Sequence, residues 1–411
     1  MLEIQRTLAT ELKGHVEKPE ITILIGPRQA GKTTLLKEIS ANLSAEGKKV
    51  LFYNLDIEKD RHFFAGQEVF VERIRSLTGG EKHYIFIDEI QRLENAGLFL
   101  KGLYDRGWNH KLIVTGSGSL ELKEKIAESL VGRKRNFYLY TVSLGEYARY
   151  RTDYAYAARL PDVLHTDPTL AESILANYLR FGGYPKVVTE PTDNEKYQTL
   201  DEIYQGYIER DIKAILQLEK TSAFVTLLQV MANRSGHTVN YSDLSSFTAL
   251  STATVKNYLW YSEKTFITQS ITPYFTNKEK EIVKAPTFYY LDNGMRNYLR
   301  GIFDDPIDRG MRFQTLVFRL LEEQFRGSVA SIHFWQTKAR AEVDFVVNRG
   351  YDLLPVEVKA TNLTKPKVTR AYRSFLQAYQ PNEGWIVNRS FRTTITIGST
   401  TVKFIPWYDL M

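Results

Sequence analysis

A short run near the N-terminus constrains this chain more than any other feature: Gly26-Pro27-Arg28-Gln29-Ala30-Gly31-Lys32-Thr33. It fits the pattern GxxxxGK[ST], and it stands between an apolar β-branched stretch at 21–25 and a helical pattern at 32–43. Glycines allow successive backbone N–H groups to turn toward phosphate oxygens, and the start of a helix adds the positive end of its dipole. In such a loop Lys32 reaches the β- and γ-phosphates and the Thr33 hydroxyl ligates Mg²⁺, so the expected ligands are ATP and Mg²⁺. Gly26 to Thr33, with Thr34 following, form the cradle.

The surrounding segments suit that loop. Apolar runs at 21–25, 50–53, 84–87 and 112–115 are separated by helix-length segments, an alternation that builds a parallel sheet covered by helices. The run at 84–87 delivers Asp88 and Glu89 at its C-terminal end, the edge where open α/β sheets bind ligands. Asp88 suits Mg²⁺, directly or through water, and Glu89 suits the base that polarises an attacking water. The run at 112–115 leads into Thr115-Gly116-Ser117-Gly118-Ser119. Ser117 and its neighbours either address the γ-phosphate and the water or simply turn the chain.

Loop, Asp-Glu strand and hydroxyl-ended strand, in this order, resemble the AAA+ ATPases. More narrowly, they resemble prokaryotic AAA+ proteins carrying a C-terminal domain of unknown function. The resemblance implies that the hydroxyl-ended strand is a sensor. It also implies that Arg133, in Leu130-Val131-Gly132-Arg133, is an arginine finger supplied in cis or by a neighbouring subunit. The alternative for Arg133 is an exposed residue of the basic run 133–135. Arg210, in the Glu209-Arg210-Asp211 stretch, is a second arginine candidate, or an ordinary helix-surface charge. Sites of this family often lie between subunits, so a homo-oligomer is expected. The resemblance extends through Phe181-Gly182-Gly183-Tyr184-Pro185 and covers nearly the whole chain.

Beyond the sheet, helical patterns at 147–160, 170–181 and 195–218 read as a lid. Residues 239–259 read as a helix, a turn at Ala249-Leu250-Ser251 and a second helix, with Ser251 as N-cap. This is the shape of a helix-turn-helix. A β-hairpin at 274–283, with Asn277-Lys278-Glu279-Lys280-Glu281 at its tip, would complete a winged helix. Lys256, Lys278, Lys280 and Lys284 suit phosphate contacts, but Glu263, Glu279 and Glu281 nearly cancel them. Packing or protein docking is an equal alternative.

In the last segment, runs at 341–347 and 354–359 read as a hairpin through Asn348-Arg349-Gly350. Glu357 and Lys359 share a strand face, and pairing would bring Asp344 beside Glu357. Two carboxylates beside an ammonium suit Mg²⁺-dependent phosphodiester chemistry. The arrangement resembles the PD-(D/E)xK nuclease fold, in which a helix acid often completes the metal site. Here that position, on a helix at about 313–325, is Gln314, which carries no charge. A decorated hairpin, a nuclease-like fold that binds without cutting and an active nuclease all remain open. Lys338, Arg340, Lys365, Lys367, Arg370 and Arg373 flank the hairpin and suit a polyanion. Phe334, Trp335, Tyr372 and Phe375 are either core or base-stacking aromatics, with core favoured.

Charge distribution points the same way. The 411 residues carry a net charge of +6, yet residues 331–411 hold 11 lysines and arginines against 6 acids. Cys is absent, which excludes disulfides and thiolate sites and fits a reducing compartment. No run is long and apolar enough for a spanning helix, so the cytoplasm is expected and a membrane is not. The expected architecture is α/β: a P-loop parallel-sheet AAA+ core (1–145), a helical lid (146–234), a winged-helix module (235–302) and a PD-(D/E)xK-like domain (303–411). The expected function is ATP hydrolysis coupled to DNA binding or remodelling, branched or damaged DNA being candidates. An ATP-regulated nuclease and a nucleotide-controlled switch docking a protein partner are the alternatives.

Overall fold

The computed structural model describes residues 3–117, 130–213, 221–276, 284–337 and 341–411; the side chains of Ser117, Arg210 and Asp211 are also outside the description. Five parallel strands form the first sheet: β1 (Ile21–Gly26), β2 (Val50–Asn54), β3 (Tyr84–Asp88), β4 (Lys111–Ser117) and β5 (Lys134–Tyr138), in the order β2-β3-β4-β1-β5. The strands β1 and β3 are buried along their whole length, as parallel strands covered on both faces must be. Helices Leu8–His15 and Lys32–Ala45 cover one face through Leu12, Leu35, Leu36 and Ile39. Helices Gln67–Thr78 and Ala96–Asp105 cover the other through Phe70, Ile74, Leu100 and Leu103.

The expected lid and helix-turn-helix are built on one continuous core. Leu200, Ile203 and Tyr207 pack in the same cluster as Phe224, Leu244, Val255 and Leu259, so the expected boundary at 234/235 falls inside a packed unit. The two helices of the turn are Tyr241–Thr248 and Thr252–Lys264, and the Ser251 side chain accepts from Thr254 N–H as the N-cap. The accompanying strands differ from the expectation. They are β6 (Thr268–Ile271) and β7 (Thr287–Tyr290), paired antiparallel, and they bracket the segment 274–283 rather than lie within it. The expected tip, with Lys278, Glu279, Lys280 and Glu281, lies outside the described residues.

The C-terminal unit opens with helix Arg309–Phe325 and a second sheet of six strands. These are β8 (Ser331–Gln336), β9 (Glu342–Asn348), β10 (Leu353–Lys359), β11 (Glu383–Asn388), β12 (Thr393–Ile397) and β13 (Thr400–Pro406), ordered β12-β13-β11-β10-β9-β8. β10 pairs antiparallel with β9 and parallel with β11. Phe313, Leu316, Val317, Leu320 and Leu321 recur at helical spacing and are buried. They join Phe345, Val347, Trp407 and Tyr408 in a core that continues into the first sheet through Ile25 and into the segment after β5 through Val142 and Leu144. Phe334, Trp335, Tyr372 and Phe375 are all buried, so none presents a face for base stacking. Lys338 and Arg340 lie outside the described residues.

Candidate nucleotide site and C-terminal carboxylate cluster

Strand β1 ends at Gly26, and the loop that follows is shaped by two glycines. A Cβ on Gly26 would meet the Leu139 carbonyl oxygen at 1.9 Å, so the close approach of the chain after β5 admits glycine alone. Gly31 holds φ at +93° just before helix Lys32–Ala45, a conformation that L side chains rarely adopt. Gln29 and Thr34 are exposed, Pro27 and Ala30 are buried, and Arg28 is half-buried. Lys32 is buried and curls over the loop, its Nζ donating to Gly26 O at 3.0 Å and Pro27 O at 2.8 Å.

The acidic strand arrives at the same edge of the sheet. Thr33 Oγ1 donates to Asp88 Oδ2 at 2.7 Å, and Thr115 Oγ1 donates to the other oxygen, Asp88 Oδ1. β4 lies between β1 and β3, which is why Thr115 can reach across. Thr115 Oγ1 also accepts from Glu89 N–H at 3.1 Å. Glu89 sits at φ +59°, in the left-handed region. That strain at a non-glycine residue, held by Thr115, marks a position over-determined by its surroundings. The Glu89 carboxylate accepts from Gln91. A hydroxyl and a carboxylate side by side are the hard oxygen donors Mg²⁺ takes alongside phosphate oxygens and water, so Thr33 and Asp88 fit that ion.

The hydroxyl-ended strand reaches the acidic pair through Thr115. Thr115 touches Asp88 and Glu89; Ser117 pairs its backbone with Gly26, and its side chain is not described. The placement of Arg133 narrows its expected role. Lys134 stands opposite Ile21 at the start of β1, and Arg133 O accepts from Ile21 N–H. Arg133 therefore lies at the far edge of the sheet, about 16 Å along β1 from the loop. Its Nε contacts Asp105 Oδ1 at 2.5 Å on the surface. A finger in cis is excluded by that placement. Arg210 has its side chain outside the described residues.

Sequence reasoning missed a group behind the loop. Arg6 Nη1 donates to Ala30 O at 2.8 Å, Nη2 to Tyr140 O at 2.6 Å, and Nε to Glu146 Oε2 at 3.0 Å. Glu146 also closes a capping box with Ser143 at the start of helix Leu144–Arg151. The Ser-x-x-Glu spacing was a readable signal for that cap; its pairing with a residue 140 positions away was not.

The C-terminal cluster assembles as the hairpin reading required. Phe345 stands opposite Val356 as the last pair of the β9–β10 ladder, and Asp344 and Glu357 are the next residue on each strand. Glu357 is buried, pairs with Lys359 Nζ at 2.5 Å, and accepts from Thr369 Oγ1 at 2.9 Å. Asp344 Oδ2 accepts from Val358 N–H at 2.7 Å. Burial pushes the Asp344 carboxyl up to about 7; the Val358 hydrogen bond opposes this and the charge of Glu357 adds to it. Gln314 Nε2 donates to Tyr289 Oη at 3.0 Å. Burial raises the Tyr289 phenol and the charge of Asp344 raises it further; the Tyr289 ring lies 5.5 Å from that of Phe345, the residue after Asp344 in β9. No three His, Cys, Asp or Glu side chains among the described residues are grouped to hold a metal ion. Lys365, Lys367, Arg370 and Arg373 are exposed around the start of helix Arg370–Tyr379.

Residues 18–148 match the family model described as an AAA domain. The N-terminal sheet is an AAA domain. Two domains of unknown function follow it, DUF8612 over 172–306 and DUF4143 over 309–410. The chain is 24% identical over 370 residues to the uncharacterized protein MJ1544 of Methanocaldococcus jannaschii, covering 87% of this chain and 79% of that protein. It is likewise 24% identical over 382 residues to the uncharacterized protein Rv2008c of Mycobacterium tuberculosis, covering 92% and 78%. The AMPPCP-bound DnaA from Aquifex aeolicus overlaps 64% of this chain and 89% of its own at 14% identity, with a TM-score of 0.28. That likeness is too slight to bear on the AAA domain's site. No helix among the described residues is long and apolar enough to cross a membrane.

Proposed function

We propose that the chain hydrolyses ATP at the AAA domain and couples the cycle to binding or remodelling DNA through its C-terminal half. The observation that carries the first part is the Thr33–Asp88–Thr115–Glu89 network at the mouth of the phosphate loop. Lys32 would bind the β- and γ-phosphates, Thr33 and Asp88 would hold Mg²⁺, and Glu89 would orient and deprotonate the water attacking the γ-phosphate. Bound there, Mg²⁺ supplies charge neutralisation on the phosphate oxygens. Lys32→Ala is expected to abolish phosphate release; a variant as active as wild type would sink the reading.

Arg133, at the far edge of the sheet, serves as a finger only for a neighbouring protomer. Mixing Lys32→Ala protein with Arg133→Ala protein tests this. Each is expected to be inactive alone, and the mixture is expected to regain phosphate release, since one protomer keeps the loop and the other the finger. A mixture as inactive as its parts removes the shared site.

The DNA reading rests on the exposed cations at 365–373 beside the pair of buried Glu357 and half-buried Lys359. A nuclease is the second reading, favoured by Asp344 and Glu357 following the last pair of the β9–β10 ladder. Binding without cleavage fits better, because Gln314 brings no charge and Lys359 is spent on Glu357. A panel of branched, linear and single-stranded DNA with Mg²⁺ or Mn²⁺, with and without ATP, separates these readings. Cutting that Asp344→Ala removes would establish the nuclease, and no affinity at low salt would leave only protein docking.

A further inference from the structure

We propose that Arg6 is a positioning residue of the phosphate loop, and that through Glu146 it ties the loop to helix Arg309–Phe325 of the C-terminal unit. The inference rests on the nucleotide reading above and adds a residue and a route to it.

The guanidinium of Arg6 is buried and committed on all sides, to Ala30 O, Tyr140 O and Glu146. In a trans peptide the C=O and the next N–H point in opposite directions. Holding the Ala30 carbonyl therefore turns Gly31 N–H away from Arg6 and into the loop. A glycine at positive φ has no Cβ to resist a peptide flip, so the external anchor decides which way this peptide faces. The anchor is itself fixed. Glu146 accepts from Thr7 N and Oγ1, both at 2.7 Å, and from Ser143 N at 2.9 Å. Burial works to raise its carboxyl, but Arg6 and these hydrogen bonds hold it below the usual range.

Beyond Glu146 lies a cavity of about 380 Å³ lined by Arg6, Tyr140, Glu146, Glu323 and Arg326. Glu323, half-buried, is the second carboxylate there; desolvation raises it and the charge of Glu146 adds to this. Arg319 Nη2 donates to Glu323 Oε1 at 3.2 Å, while Arg319 and Arg326 lie 4.5 and 4.2 Å from the centre of the Tyr140 ring. Tyr140 is the residue whose carbonyl Arg6 holds. One rigid helix thus carries Arg319 and Glu323 against the AAA domain and Gln314 against Tyr289. A shift of the Ala30 carbonyl changes how well Arg6 compensates Glu146, and Glu323 faces the result.

Titrating a fluorescent ATP analogue with Mg²⁺ into the full chain tests both parts. Arg6→Ala is expected to weaken binding about ten-fold or more, the scale of a lost charge-assisted hydrogen bond. Arg6→Lys, which keeps the charge but not the fork, should recover part of it. Glu323→Gln, which does not touch the loop, should shift affinity about three-fold, and the double variant Arg6→Lys with Glu323→Gln should depart from the product of the singles. Should Arg6→Ala fail to fold, this set still decides. Wild-type affinity in folded Arg6 variants overturns the positioning role. Unchanged affinity in Glu323→Gln with multiplicative singles overturns the link. A wild-type chain that binds no ATP overturns the nucleotide reading itself, a distinct outcome.

Discussion

Two aspartates of this chain, Asp88 buried and Asp344 half-buried, sit in different surroundings. Asp88 accepts from a hydroxyl on each oxygen, and its carboxylate is the hard oxygen donor that Mg²⁺ takes. Asp344 accepts one backbone N–H and feels the charge of Glu357, and its carboxyl is raised to about 7 from the ordinary 3.8. The sign of the consequence follows from proton counting. Between about pH 4 and pH 7 the folded chain keeps a proton that the unfolded chain has released, so stability falls as pH rises and the loss is complete above about 7. Asp344→Asn keeps an acceptor for Val358 N–H without the charge. Its Tm should exceed that of wild type at pH 8, by on the order of 3 kcal/mol in stability, with the gap closing toward pH 4. Equal gaps at pH 4 and pH 8 would refute this. Lys32, Thr33 and Asp88 were legible because loop and strand spacing are local. Arg6 was not, because its partners at Ala30, Tyr140 and Glu146 are adjacent only after folding.

Among the elements, the central strands were legible for a physical reason. β1 and β3 are covered on both faces and read as unbroken apolar runs. The edges and small sheets were harder. β6 and β7 are four residues each, too short for alternation to stand out. β12 alternates half-buried and exposed positions and is rich in threonine, a weak signal for a strand at a sheet edge. Helix Arg309–Phe325 was legible in its interior, from Phe313 onward, but its start at Arg309 was not, because Asp308 makes no side-chain cap. That helix packs Phe318 against Tyr289, ring centres 4.7 Å apart, and against Phe345. Phe318→Ala should cost about 3–5 kcal/mol in urea unfolding. A loss under about 1 kcal/mol would mean that the helix is not seated on the sheet in this way.

For the whole molecule, the shared core sets what the charge asymmetry can do. The C-terminal unit is packed into the same apolar cluster as the AAA sheet, so its basic surface is carried at a fixed place and not on a tether. Lys365, Lys367, Arg370 and Arg373 are exposed there, and their local excess over acids is the source of most of the net charge. Phosphate contacts release condensed counterions, so each contributes about −0.9 to the slope of log Kobs against log salt on duplex DNA. If these four cations make the contacts, replacing all of them with alanine should reduce the slope by about 3–4 units and weaken binding on every sequence alike. Fluorescence anisotropy with one duplex across a series of salt concentrations reads the slope directly. An unchanged slope in the quadruple variant would move the DNA surface elsewhere, and the exposed Lys256 on helix Thr252–Lys264 would then be the next cation to replace. The two outcomes also differ in geometry: contacts at 365–373 bring the strand against Glu357 and Lys359, whereas contacts at Lys256 leave that pair with no polyanion beside it.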